Sequence, residues 1–152
     1  MLQRIMTATT ETETARISRT LHAARDVVFR AWTDPEEFKA WWQPRPFTTT
    51  AVEMDARVGG AYRVTMRHPD GSHQYLFGVY REVRPPERLA MTWCLEGSAQ
   101  DDGYEALLTL EFRENPHGTE LILIHDKLPV ASIGMYAAGW SEVLDSLSRR
   151  LT

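Results

Sequence analysis

Histidine is the side chain best suited to move a proton near neutral pH, and this sequence carries five of them. His22, His68, His73, His117 and His125 fall at no spacing that would gather metal ligands, so no metal site is expected. His125 is the most informative. In "TELILIHD" it shares one side of an alternating strand with Leu121 and Leu123. An imidazole among apolar groups can polarise a ligand carbonyl or act as a base. The same pattern also describes a structural histidine, bonded to backbone or water. His68 has inward parity too, but the adjacent "PDG" turn predicts an exposed place at the sheet edge. Cys94 is the only cysteine, which rules out an internal disulfide and a Cys-rich metal site. It alternates away from the face of Trp93, so thiol catalysis is not expected. The sequence holds no nucleophile elbow, phosphate loop, dinucleotide fingerprint or H-E-x-x-H motif. The "SAQDDG" segment lacks the oxygen-ligand spacing of a calcium loop and reads as a flexible hairpin loop. No cofactor is expected.

The second chemical resource is aromatic. Trp41 and Trp42 stand side by side in "TDPEEFKAWWQP". Tyr62, Tyr75 and Trp93 offer polar tips on apolar bodies, the kind of group that orients a ligand in an apolar pocket. As ordinary core, those tips would bond to backbone instead.

Several elements must position these groups. "TARISRTL" alternates as a strand. "RDVVFRAWT" sets Val28, Ala31 and Trp32 at helical spacing. In "DPEE", Asp34 can cap a second short helix, Pro35 fits its first position, and Glu37 completes a capping box. Phe38, Trp41 and Trp42 then share one helix face, with Trp41 and Phe38 as anchors and Trp42, next to the Pro44/Pro46 stop, open to either a core or a ligand-facing role. From Thr48 onward the period changes to two. "TTAVEMDA", "AYRVTMRH", "HQYLFGVYREV", "RLAMTWCLE", "YEALLTLEFRE" and "TELILIHD" read as strands joined by short turns. Gly59-Gly60 marks a tight turn or bulge. The last segment repeats Ile133, Tyr136, Ala137, Trp140, Leu144, Leu147 and Leu151 at three- and four-residue steps. That spacing predicts an amphipathic helix of about 22 residues, roughly 33 Å long. Only this helix has the length to cover one face of the sheet. The fold class is α+β: a helix-grip, in which a curved antiparallel sheet of about six or seven strands wraps around a long C-terminal helix.

The 152 residues suit one domain. We expect a flexible tail over 1–12 and a single domain over 13–152. A net charge of -4, with no Lys/Arg run, speaks against nucleic acid and anionic membrane as partners. The N-terminus lacks an apolar signal segment, and no apolar run is long enough to span a bilayer. Cytoplasmic localisation is the expectation.

The segments "VVFRAWTDPEEFKAWW", "EMDARVGGAYRV", "FGVYREVRPPERLAMTW", "LTLEFRENPHGTELILIH" and "GWSEVLDSLSRRL" resemble the START/SRPBCC helix-grip superfamily. Within it, they are similar to the C-terminal domain of activators of the heat shock protein ninety ATPase (AHSA-type). The resemblance covers nearly all of residues 14–151. It implies a cavity between the concave sheet and the long helix. The expected lining is Trp42, Met54, Tyr62, Val64, Met66, Tyr75, Trp93, Leu108, Leu110, Leu123, His125, Tyr136 and Trp140. Many relatives carry a His or charged residue just before the Gly-Trp of the last helix, where "GMYAAGW" is apolar apart from Tyr136. Three functions follow as expectations. The first is a non-enzymatic domain binding a small hydrophobic or amphipathic molecule. The second is a co-factor stimulating a chaperone ATPase, although the chain has no room for the separate N-terminal domain of full-length activators. The third is a cyclase- or hydrolase-type enzyme using His125 and a tyrosine.

Overall fold

The computed structural model describes residues 12–97 and 104–151. The "SAQDDG" loop and nearly all of the expected tail lie outside the described residues. Thr12 is the exception: it pairs with Pro129 and starts the first strand.

Chain order is β1 (Thr12–Leu21), α1 (Arg25–Thr33), α2 (Pro35–Trp41), β2 (Thr48–Met54), β3 (Ala61–Arg67), β4 (His73–Arg84), β5 (Arg88–Glu96), β6 (Ala106–Asn115), β7 (Gly118–Pro129) and α3 (Ile133–Arg150). A single 3-10 turn, Val130–Ser132, leads into α3. The strands form one seven-stranded sheet in the order β1-β7-β6-β5-β4-β3-β2, with every pairing antiparallel. Successive strands from β2 to β7 are neighbours because short turns allow nothing else. β1 reaches β7 because α1 and α2 carry the chain across the sheet between β1 and β2.

Local chemistry explains the two short helices. Asp34 accepts from the Glu36 and Glu37 amides at 2.9 and 3.3 Å, and Pro35 occupies the first turn. The expected capping box is only half made. The Asp34 amide closes α1 by donating to the Arg30 carbonyl, and Glu37 instead takes Arg150 of α3 at 3.3 Å. One residue thus ends a helix and begins the next.

At Gly59-Gly60 both glycines are required. Gly59 has φ of +86°, and a Cβ on Gly60 would lie 2.0 Å from the Asp55 carbonyl oxygen.

α3 has 18 residues, so it is about 27 Å long. It is shorter than the expected helix of about 22 residues because Val130–Ser132 form a 3-10 turn ahead of it. Tyr136, Trp140, Val143, Leu144 and Leu147 are its buried positions. Ala137, expected on the inner face, is exposed, and Val143 takes its place. The second half of α3 is fastened at both sides. Arg19 of β1 bonds Asp145 at 2.7 Å, and the Arg150–Glu37 pair ties it to α2.

Candidate functional site

Trp41 and Trp42 answer the aromatic question differently. The Trp41 ring is fully buried and its Nε1 donates to the Ala31 carbonyl at 2.9 Å. It therefore joins α1 to α2 inside the core. Trp42 is 6% exposed. It stacks on Phe38 at 5.3 Å and presents an edge contact to Trp93 at 5.8 Å and to Trp140 at 5.5 Å. Its carbonyl accepts from the Thr49 hydroxyl, which holds the α2–β2 connection down on the sheet.

These rings form one end of a cleft of about 430 Å³ between the first half of α3, strands β3–β5 and the α2–β2 connection. Its wall includes Trp42, Phe47, Met66, Leu76, Trp93, Leu95, Tyr136, Trp140 and Val143. Arg45 and Glu142 are its charged members, and they neutralise each other. Arg45 Nε lies 2.7 Å from Glu142 Oε2, and the same oxygen accepts the Arg45 backbone amide at 3.1 Å. The pair bridges the α2–β2 connection to α3. Gln74 is a further polar group on the wall. Met135 is 42% exposed, an unusual exposure for a large apolar side chain, and it too lines the cleft. Gly139 leaves a bare stretch of wall: a Cβ there would meet no atom within 4 Å.

Behind this wall lies His125, with no solvent exposure. Its imidazole is ringed by Trp93 at 4.8 Å, Tyr136 at 4.8 Å and Trp140 at 5.7 Å, all edge-on. Trp140 Nε1 donates to His125 Nδ1 at 2.9 Å. Trp93 Nε1 donates to the Tyr136 hydroxyl at 3.3 Å. Burial pushes the His125 pKa down from 6.5 to about 3, a loss of solvation that Asp126 opposes only weakly. The ring is therefore neutral. The lone pair of Nδ1 is occupied by Trp140, so the imidazole is arranged as a donor and not as a base.

The expected lining residues divide into groups. Trp42, Met66, Trp93, Tyr136 and Trp140 are on the cleft wall. Tyr62, Val64, Leu108, Leu110, Leu123 and His125 do face the helix, but they are packed as core beneath the wall. Tyr62 ends in a 2.6 Å bond from its hydroxyl to the Thr92 carbonyl, and burial raises its pKa. Met54 is half-buried at the margin of the core.

Tyr75 must be corrected outright. It lies on the opposite face of the sheet, with the Arg63 guanidinium 4.4 Å above its ring. The β3–β4 register pairs Met66 with Gln74 and Val64 with Leu76, so Gln74 and Leu76 face the helix. Leu95 lies two residues beyond Trp93 in β5 and joins it on the wall. Phe47, Arg45 and Glu142 had no local signal, because only the folded connection brings them to the cleft. His68 sits half-exposed against Phe47 at 5.3 Å. Among the described residues, no three His, Cys, Asp or Glu side chains form a metal-holding group, and no helix is long and apolar enough to cross a membrane.

A seven-stranded antiparallel sheet gripping one long helix, with a cleft between them, defines the START/SRPBCC helix-grip class. Within it, the family model for "Activator of Hsp90 ATPase homolog 1-like protein" matches residues 22–152, and the chain belongs to that family. Solved structures agree. A protein from Chromobacterium violaceum is 29% identical, with a TM-score of 0.82 over 91% of this chain and 96% of its own. One from Rhizobium leguminosarum is 25% identical, with a TM-score of 0.78 over 93% and 95%. An AHSA1 protein from Silicibacter pomeroyi, 24% identical over 91% and 97%, shares the fold at a TM-score of 0.79. A search of curated proteins finds no match to the sequence.

Proposed function

We propose that this protein binds a small, flat, largely apolar molecule in the cleft between α3 and β3–β5. The observation that carries the reading is the wall itself. Trp42, Trp93, Trp140, Tyr136 and Phe47 surround a space of about 430 Å³, a size typical of small-molecule sites. Glycine inside a helix is disfavoured against alanine. Gly139 nevertheless stands within α3 on this wall, where protein packing does not require it. It keeps the space clear for a ligand. The Arg45–Glu142 pair adds a polar rim that can open toward a ligand's polar end.

The test is titration with N-phenyl-1-naphthylamine, a neutral flat fluorophore, together with native mass spectrometry of protein purified without organic solvent. One-to-one binding with quenching of tryptophan emission is expected, and Gly139→Leu abolishes it. Absence of binding up to the probe's solubility limit, with no co-purified molecule, would falsify the proposal.

The family description supplies a second reading, stimulation of a chaperone ATPase. Adding the protein to purified Hsp90 and measuring phosphate release separates the two. Stimulation equal in wild type and Gly139→Leu would make the cleft irrelevant to that role.

A further inference from the structure

His125 has one nitrogen accounted for and one not. Nδ1 accepts the Trp140 indole proton, so the imidazole proton must reside on Nε2; the other tautomer would set two N–H groups against each other. Nε2 is buried and has no hydrogen-bond partner among the described residues. Buried donors are nearly always paired, and each exception calls for an explanation. The placement of this one supplies it. Three rings pack directly on the imidazole: Trp93, Tyr136 and Trp140. All three also line the cleft. The imidazole that carries the unpaired donor is therefore separated from the cleft by the thickness of a single aromatic side chain.

Building on the ligand-binding reading above, we propose that the cleft has an inner polar subsite at His125. Its ligand is an uncharged aromatic molecule bearing a carbonyl, whose oxygen accepts the Nε2 proton once the Tyr136 ring turns aside. Each part of that description has its own source. An aromatic body matches walls made of Trp42, Trp93 and Trp140. An acceptor is required because Nε2 can only donate. No net charge is allowed at depth, because the imidazole is neutral and the charged lining residues, Arg45 and Glu142, neutralise each other. Tyr136 is the movable element, and its turning gives up the bond that its hydroxyl accepts from Trp93 Nε1. It is 8% exposed, touches His125 on one side and lines the cleft on the other.

The experiment compares acetophenone with ethylbenzene, which has the same ring and two-carbon chain but no oxygen. Affinities are measured by NMR titration of the full chain, wild type and His125→Phe, with histidine side-chain nitrogens labelled. The ratio of ketone to hydrocarbon affinity should fall by about tenfold in His125→Phe, the worth of one buried hydrogen bond. In the wild type, the Nε2 resonance of His125 should move with acetophenone and stay with ethylbenzene. If both compounds bind, but the ratio is the same in both proteins or Nε2 does not respond, the subsite is wrong and the cleft stands. If neither binds at millimolar concentration, the subsite and the cleft reading fail together. Should His125→Phe not fold, the wild-type nitrogen response decides alone.

Discussion

Gly134 and Gly139 sit inside α3, and neither has a positive φ. A Cβ added to either would meet no atom within 4 Å. Helical glycine is less favourable than alanine by about 0.8–1 kcal/mol. No steric term offsets this gain here, so Gly139→Ala should stabilise by nearly the full amount, and Gly134→Ala, at the second residue of α3, by less. The two sites lie more than one turn apart, so their effects should add to about 1–2 kcal/mol. For a chain of this size, each kcal/mol raises Tm by about 2–4 °C. The double variant should therefore melt about 2–8 °C above wild type, read by differential scanning calorimetry. Function divides the pair. Gly134 is not on the cleft wall, so Gly134→Ala should leave probe affinity unchanged. Gly139→Ala should be the more stabilising but should weaken binding, since its methyl enters the cleft. A neutral or destabilising Gly139→Ala would refute the reasoning, because it would show that a side chain already occupies that wall.

Acid sensitivity should trace to His125. In the fold it stays neutral down to about pH 3, while the unfolded imidazole protonates near 6.5. The unfolded state therefore binds more protons in this window, and stability falls as pH drops from 6.5 toward 3, by up to about 1.4 kcal/mol per unit. Urea midpoints between pH 6.5 and 5 should slope in wild type and be flatter in His125→Gln; equal slopes would contradict the assignment. Trp42→Ala removes a ring packed on Phe38, Trp41, Trp93 and Trp140 and should cost about 3–5 kcal/mol by chemical denaturation as well as reducing probe binding. A small stability loss there would mean the ring serves the cleft alone. Asp34→Ala should cost about 1 kcal/mol, with the helical circular-dichroism signal largely retained, since the α2 cap is lost but Trp41 still anchors that helix.

The element order was readable because period is a local property. The change from helical spacing in "FKAWW" to alternation in "AYRVTMRH" needs no knowledge of the fold. Orientation was harder where both faces of a strand are apolar. "HQYLFGVY" offers Tyr75 and Phe77 on one side and Leu76 and Tyr80 on the other, and alternation alone cannot choose between them. The β3–β4 register makes that choice, pairing Thr65 with Tyr75 and so turning the tyrosine outward. The capping box shows a similar limit. Its sequence pattern is complete, but the Asp34 amide is spent on Arg30 and the Glu37 carboxylate on Arg150, partners that belong to other elements.

From the sequence alone come the α+β helix-grip class, the anchoring role of Trp41 with Phe38, and the inward direction of His125, all consequences of spacing along one strand or helix. Tertiary structure alone decided which inward side chains fill space and which border it. That depends on how far the long helix stands from the sheet. Its C-terminal end is pulled in by Leu144, Leu147 and the pairs with Arg19 and Glu37. Its first half, carrying Tyr136, Gly139 and Trp140, spans β3–β5 and leaves the cleft. The bond from Trp140 to His125 is of the same kind: two residues on different elements meet because helix and sheet close on one another, and that meeting fixes which nitrogen carries the proton.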